Sequence, residues 1–186
     1  MSSSKSNPKS NNKSNWKGLL LWLLLALFLR WQIIEPRWIP SGSMLPTLEI
    51  KERILIEKIT PKINRVFGNE SKNNQIVVFN PPKALIDVGF EANSALIKRV
   101  IGIPGDKLEV REGQLIRNGI KLKEPWIEEP INYEMDLIIV PKNSYWVLGD
   151  NRNNSLDSHL WGALPKEKLI GRAIFRYWPI NKIGII

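Results

Sequence analysis

"ALIKRVIGIPGD", residues 95–106, joins a run rich in β-branched residues to an ending that contains two glycines and a proline. This composition predicts a β-strand over 95–102 that stops in a turn. Alternation along such a strand places Lys98 on one face, between Leu96 and Val100, and Arg99 on the other. A lysine between apolar neighbours is either a surface residue on an edge strand or a buried amine. The strand alone leaves both interpretations open.

Runs of the same kind recur along most of the chain, each bounded by Gly, Pro, Asn or Asp. They cover 53–59, 74–80, 107–110, 114–119, 144–150 and 170–179. "RNGIKL" has the Asn-Gly pair of a tight hairpin, and "PKEKLIG" has room for one helical turn at most. The pattern predicts a mainly antiparallel β domain, with irregular segments near 61–74, 81–94 and 123–141.

The N-terminal region differs from the rest in composition and charge. Residues 1–15 are mostly Ser, Asn and Lys, which predicts a disordered tail. Residues 16–35 are apolar and predict a transmembrane anchor, although the uninterrupted apolar core, 18–29, is shorter than the roughly 20 residues of a usual span. A span therefore needs Arg30 to extend towards the interface. The alternative is a cleaved signal peptide, but the small residues that precede a cleavage site are missing.

The distribution of charge predicts the orientation of this segment. The net charge is +9, and residues 1–37 hold six basic residues against a single acidic one. Basic residues next to an apolar segment stay on the cytoplasmic side, so residues 36–186 are expected outside the cytoplasm.

The composition also excludes several kinds of site. The chain has no cysteine and one histidine, His159. Disulfides, thiolate nucleophiles and multi-histidine metal centres are therefore ruled out, and we expect no metal and no cofactor. No basic stripe with interleaved aromatic residues is visible in the folded part, so no nucleic-acid partner is expected.

"PSGSMLPTL", residues 40–48, holds a candidate nucleophile. Gly42 permits close approach of another backbone to Ser43, and Pro46 stiffens the turn that follows. A serine nucleophile needs a base, for which the chain offers Lys98 or His159. Burial of Lys98 would lower its pKa from about 10.4 towards neutrality. The alternative is an ordinary turn serine.

"GDNRNNSLDSHLWG", residues 149–162, is too polar for a core segment and is either a solvated loop or part of a site. With "PSGSMLPTL" and "KRVIGIPGD" before it, in this order and with 55 residues from Ser43 to Lys98, it resembles the bacterial type I signal peptidases. These are membrane-anchored serine proteases that use a Ser/Lys dyad. The resemblance covers about residues 17–180. It implies an antiparallel β-sheet catalytic domain of the signal-peptidase and SOS-repressor-protease type, with an insertion near 103–145, after one N-terminal transmembrane helix.

The resemblance also implies a role for each matching residue. Ser43 is the nucleophile and Lys98 the general base, with Ser41 beside the oxyanion. Ser155 and Asp157 support the lysine. The polar cluster around them includes Arg99, Asp150 and Arg152, and the expected substrate pockets are lined by Met44, Leu48 and Ile97.

Two positions depart from the family pattern. His159 stands where many bacterial members have an arginine, and Asn153 replaces an acid. An arginine would be a fixed positive partner for Asp157, whereas a histidine is mostly neutral near pH 7. Eukaryotic-type signal peptidases use a histidine as base, so Lys98 favours the bacterial type; His159 as the base is the alternative.

The function implied is removal of signal peptides from exported preproteins after an Ala-x-Ala pattern. The expected enzyme is a monomer in the lipid bilayer of a plasma membrane or a thylakoid-type membrane. Two alternatives remain at this stage. One is a self-cleaving protease of the SOS-repressor type, and the other is a membrane-tethered β domain that binds a partner without catalysis.

Overall fold

The computed structural model describes residues 16–67 and 73–186, so the tail predicted over 1–15 lies outside the described residues. The described residues up to Gln32 and those from Ile33 onwards belong to two separate compact units. Helix α1 covers Trp16–Ile33, all but its last residue in the first unit, and ends two residues before the predicted anchor does. Within the described part of the chain, no helix meets the length and hydropathy of a membrane span.

The second unit is mainly antiparallel β structure. Its helices are α2 (Ile59–Phe67), α3 (Lys83–Ile86) and α4 (Ser158–Trp161). Its strands are β1 (Ile34–Trp38), β2 (Arg53–Glu57), β3 (Ile76–Phe79), β4 (Leu96–Gly102), β5 (Lys107–Arg111), β6 (Gln114–Arg117), β7 (Ile120–Lys121), β8 (Met135–Ile139), β9 (Ser144–Leu148), β10 (Leu164–Pro165), β11 (Leu169–Trp178) and β12 (Gly184–Ile185).

The larger sheet has the order β1-β2-β11-β3-β4-β9-β10, with β12 paired to β11. Strand β4 is therefore an interior strand, between β3 and β9. Lys98 is opposite Val77 of β3, and Arg99 is opposite both Ile76 of β3 and Leu148 of β9. Strands β5 to β8 form a smaller sheet of order β7-β6-β5-β8 within residues 107–139.

The core consists of three hydrophobic clusters, and β4 contributes to each of them. Ile97 packs with Met44 and Leu48, Ile101 packs in the cluster of the smaller sheet, and Val100 packs in the third cluster. Six of the seven residues of β4 are buried. Any polar side chain on this strand is thereby removed from water, which decides the chemistry of Lys98 and Arg99.

The sequence prediction missed several regular elements, among them α3, which lies in the segment predicted as irregular near 81–94. Helix α2 lies largely in the segment predicted as irregular near 61–74. Its Pro61 falls in the first turn, where a helix tolerates a proline. Strand β8 lies in the irregular segment predicted near 123–141. Strand β1 contains Pro36, which argues against a strand, yet β1 is the edge of the sheet, where a missing N–H is tolerated.

Two further local features are the predicted hairpin and the C-terminal strand. The predicted hairpin joins β6 to β7, and both Asn118 and Gly119 have positive φ, 54° and 79°, as a type I′ turn requires. At the C-terminus, β12 pairs with β11, and Lys182 forms an ion pair with Glu49. The final residues are therefore tied to the domain.

Candidate active site

Ser43 lies in a single 3₁₀ turn, Gly42–Met44, which the loop after β9 holds in place. The backbone N–H of Asn151 donates to the Ser43 carbonyl at 3.1 Å, and the Asn151 side-chain amide donates to the Gly42 carbonyl at 3.2 Å. Two separate hydrogen bonds thus fix the backbone on which the hydroxyl is mounted. The position of Ser43 is set by a loop that begins more than a hundred residues later in the chain.

Lys98 meets Ser43 at hydrogen-bond distance. Its Nζ lies 2.7 Å from Ser43 Oγ and 3.1 Å from the Ile97 carbonyl oxygen. The lysine is 3% exposed, and the serine is 9% exposed. The interpretation of Lys98 as a surface lysine on an edge strand is therefore wrong, because β4 is an interior strand.

Burial controls the protonation of this amine. The pKa of Lys98 falls from 10.5 to about 8, chiefly because burial disfavours the charged form, while the carboxylates of Asp157 and Asp150 act in the opposite direction. Both hydrogen bonds that the structure gives Nζ go to uncharged oxygens. With this pKa, roughly a tenth of the molecules hold the free amine at pH 7, far more than for an ordinary lysine, and the free amine can accept a proton.

Two further serines lie close to Ser43. The Ser41 hydroxyl oxygen is 3.3 Å from Ser43 Oγ. The Ser155 Oγ is buried and has no hydrogen-bond partner among the residues that the structure describes. A Cβ added at Gly149 would lie 2.2 Å from Ser155 Oγ and 2.4 Å from the Ser43 carbonyl oxygen, so only glycine allows the loop to pass between these two groups.

Asp157 is completely buried, and both of its carboxylate oxygens are occupied. Oδ2 accepts from the Gly149 N–H at 2.8 Å, and Oδ1 accepts from the His159 N–H at 3.2 Å. Oδ1 also lies 2.7 Å from Nδ1 of the His159 ring. The carboxylate therefore connects the loop that holds Ser43 to the only histidine of the chain. His159 thus contacts Asp157, whereas Lys98 contacts Ser43.

Two buried bidentate ion pairs surround the loop that begins at Gly149. Arg99 binds Asp150 with nitrogen–oxygen distances of 2.8 and 2.6 Å. Arg152 binds Glu124 with two distances of 2.6 Å and donates from Nε to the Gly149 carbonyl. Because both arginines have matched carboxylates, their charges are compensated inside the domain.

Sequence reasoning missed three residues of the site, all from the segment predicted as irregular near 123–141. Glu124 pairs with Arg152, Trp126 lies 4.4 Å from the Arg99 guanidinium, and the Tyr133 ring stacks on His159 at 4.2 Å. Glutamate, tryptophan and tyrosine in a polar, proline-containing stretch give no periodic signal. Only their placement against the loop at 149–159 reveals their part in the site.

The residues expected to line substrate pockets lie in the core next to Ser43. Met44 and Leu48 are 0% exposed and Ile97 is 7% exposed, and all three pack in one cluster. The structure brings them together beside Ser43 and Lys98. Their part in substrate binding stays a prediction.

Comparison with known proteins shows which family this chain resembles. Residues 13–178 match the signal peptidase family, peptidase S26. The chain is 45% identical over 162 residues to the signal peptidase I of Leptolyngbya laminosa, which covers 87% of this chain and 77% of that protein. It is 46% identical to probable signal peptidase I-2 of Synechocystis sp., over 88% of this chain and 72% of the other. It is 41% identical to thylakoidal processing peptidase 1 of Arabidopsis thaliana, over 86% of this chain and 46% of that protein.

The most similar of these relatives align over most of their own length as well as over most of this chain, and the matched region contains the serine, the lysine and the polar loop. The chain belongs to the signal peptidase family, peptidase S26, a family of serine proteases.

Proposed function

We propose that this chain is a membrane-attached endopeptidase that removes signal peptides from exported preproteins, with Ser43 and Lys98 as its catalytic dyad. The observation that carries the proposal is the 2.7 Å contact between Lys98 Nζ and Ser43 Oγ, made by a lysine that is 3% exposed. A base must lie within hydrogen-bond reach of the proton that it removes and must be uncharged when it does so. Geometry and burial support both conditions.

In the first half of the reaction, Lys98 takes the proton of Ser43 as its oxygen attacks the scissile carbonyl carbon. The tetrahedral intermediate then collapses, the carbon–nitrogen bond breaks, and Lys98 gives the proton to the leaving amine. In the second half, Lys98 takes a proton from water, which attacks the ester on Ser43. Release of the carboxylic acid returns the proton to the serine oxygen.

The oxyanion that forms twice in this sequence needs hydrogen-bond donors. We assign this role to the Ser43 backbone N–H and the Ser41 hydroxyl. The 3.3 Å separation of the two hydroxyl oxygens supports the assignment of Ser41, because its hydroxyl then lies beside the attacking atom.

Two residues support the lysine in this scheme. Of the two carboxylates that favour the charged form of Lys98, Asp157 has the larger effect. It thereby stabilises the ammonium that forms when the proton is transferred. Ser155 is assigned to receiving a hydrogen bond from that ammonium, since its buried Oγ is without a partner among the described residues and lies against the Gly149 backbone.

Cleavage after small residues fits the crowding around Ser43. Met44, Leu48 and Ile97 are buried and pack in one cluster, so a pocket formed against them would be shallow. We assign to them the floor of the pockets for the residues at −1 and −3, where an alanine side chain fits and a large one collides. The rest of the recognition then comes from backbone pairing with an extended peptide.

Attachment to a membrane rests on the first unit. Between Trp16 and Phe28, the leucines and tryptophans of α1 are broadly exposed, with values such as 69% for Leu21 and 71% for Trp22, so this apolar surface needs to be covered by lipid. Basic residues before it keep the N-terminus on the cytoplasmic side and the catalytic domain outside, at a plasma membrane or a thylakoid-type membrane. We propose that the enzyme acts as a monomer, since one chain supplies the whole dyad and its supporting residues.

The decisive experiment is cleavage of a synthetic preprotein with an Ala-x-Ala site by membranes that contain Ser43→Ala or Lys98→Met. Both variants should lose activity by about a thousandfold or more, since one lacks the nucleophile and the other the base. The matched controls are Ser94→Ala and Lys107→Met, because the exposed Ser94 hydroxyl donates to the Glu91 carbonyl, away from Ser43, and Lys107 is exposed. Normal cleavage by either dyad variant would refute the mechanism.

Membrane attachment has a separate test. After alkaline carbonate extraction of membranes, the full chain should stay in the pellet, and protease added from outside should digest the catalytic domain. Recovery of the chain in the supernatant would contradict attachment through residues 16–35 without affecting the dyad.

A further inference from the structure

His159 is a polar side chain of the site that the reaction described above does not use. Its ring is 15% exposed, its Nδ1 lies 2.7 Å from Asp157 Oδ1, and one face stacks on Tyr133 at an angle of 9°. It is the only histidine in the chain. Imidazole is the side chain that ordinarily gains or loses a charge between pH 5 and 8.

Asp157 connects this ring to the lysine. The same carboxylate that contacts His159 favours the charged form of Lys98 through its negative charge. When His159 is neutral, Lys98 experiences the full charge of Asp157. When His159 is protonated, the histidine and the aspartate form a neutral pair, and their combined field no longer stabilises the ammonium.

The other charged groups around this connection are compensated. Tyr133 is neutral, because burial, with the charge of Asp157, raises the pKa of its phenol well above the usual range. Near Tyr133, Arg152 is bound by Glu124, and on β4 Arg99 is bound by Asp150, each through two hydrogen bonds. Among these described neighbours, His159 is the ionisable side chain in direct contact with Asp157.

We propose that His159 is a proton-linked positioning residue: it holds Asp157 in place and, on gaining a proton, increases the fraction of Lys98 that is present as free amine. The inference rests on the proposed dyad. Protonation of the ring at acid pH partly offsets the loss of free amine that acid itself causes. The enzyme then keeps activity to lower pH than it would with a neutral side chain at position 159.

The first test compares two variants in the pH dependence of kcat/KM, measured with the full chain and an Ala-x-Ala peptide. His159→Arg has a fixed charge, and His159→Asn keeps an N–H donor near the Nδ1 position but cannot be charged. The acid limb of the arginine variant should lie roughly half to one pH unit below that of the asparagine variant. One pH unit below the midpoint, this difference is about three- to tenfold in rate. The wild-type limb should be less steep and should run between them.

Leu160→Arg is the matched control, because it places the same charge one residue along on a side chain that is 63% exposed. Its acid limb should coincide with that of the wild type. Superimposable limbs for His159→Arg and His159→Asn, or a displacement of the control as large as theirs, would overturn the inference.

The second test needs no activity and holds even where a variant at 159 folds poorly. A single histidine gives a single set of imidazole NMR signals, whose titration is followed in the wild type and in Lys98→Met. Coupling between two sites is reciprocal, so removal of the lysine charge should raise the His159 midpoint by roughly half to one pH unit. Lys107→Met should leave the midpoint in place, and an unchanged midpoint in Lys98→Met would refute the coupling. If Ser43→Ala still cleaved preprotein, the proposed function would fail while this coupling stood.

Discussion

Lys98 and Arg99 are consecutive residues of β4, both are buried, and their surroundings differ. On one face, the Lys98 amine meets a hydroxyl and a carbonyl oxygen. On the other face, the Arg99 guanidinium has a bidentate carboxylate, the Asn74 carbonyl and the ring of Trp126. The same burial pushes the lysine towards a free amine, whereas the arginine is compensated by the carboxylate of Asp150. A buried cation is structural or catalytic according to the partners that face it.

The largest expected effect comes from making position 98 resemble position 99. Lys98→Arg retains a positive charge and a hydrogen-bond donor, but a guanidinium does not give up its proton in proteins. We expect preprotein cleavage to fall about a thousandfold or more. Circular dichroism should show a folded chain, and cleavage within tenfold of the wild-type rate would refute the role of Lys98 as base.

The next effect comes from making position 99 resemble position 98. Asp150→Ala removes the carboxylate partner of Arg99 and leaves a buried charge with only neutral partners. The free energy of unfolding should fall by about 3–5 kcal/mol. It is measured by thermal denaturation of the full chain in detergent.

The control for this prediction removes the charge as well as its partner. The double variant Arg99→Met, Asp150→Leu replaces the ion pair by apolar side chains and should recover most of the lost stability. If the double variant were as unstable as Asp150→Ala, packing and not the uncompensated charge would explain the loss.

The smallest effect has the opposite sign. Lys98 has a pKa of 10.5 in the unfolded reference and about 8 when folded, so below pH 8 folding carries the cost of burying an ammonium. Lys98→Met fills a similar volume without this cost and should raise the free energy of unfolding by about 1–3 kcal/mol at pH 7. Removal of one residue of the dyad would then stabilise the domain.

The pH dependence gives this last prediction its control. Between pH 8 and 10.5 the unfolded chain binds more protons at Lys98 than the folded chain does, so the stability of the wild type rises with pH in this window. The advantage of Lys98→Met should be complete below pH 8 and absent above about pH 10.5. An advantage that persists above this range would show that better packing, and not the charge, is its cause.

The sequence by itself determined the type of strand and singled out the candidate residues of the site. β-Branched runs, the Asn118-Gly119 turn and the order of Ser43, Lys98 and the loop at 149–158 are local or ordered along the chain, so they can be recognised without a structure. The site residues that sequence reasoning missed lie in the segment predicted as irregular near 123–141. Nothing in its composition distinguishes Glu124, Trp126 and Tyr133 from solvated loop residues.

The tertiary structure decided that Lys98 is a buried amine beside Ser43 and not a surface lysine. Alternation along β4 placed the lysine on one face and left open whether that face was exposed to solvent. Only the position of β4 between β3 and β9 removed the lysine from water. Strand order follows from contacts between residues far apart in the chain, which local periodicity does not record. The same long-range contacts gave Arg99 a carboxylate and Lys98 a serine, and this difference in partners is the physical basis of the site.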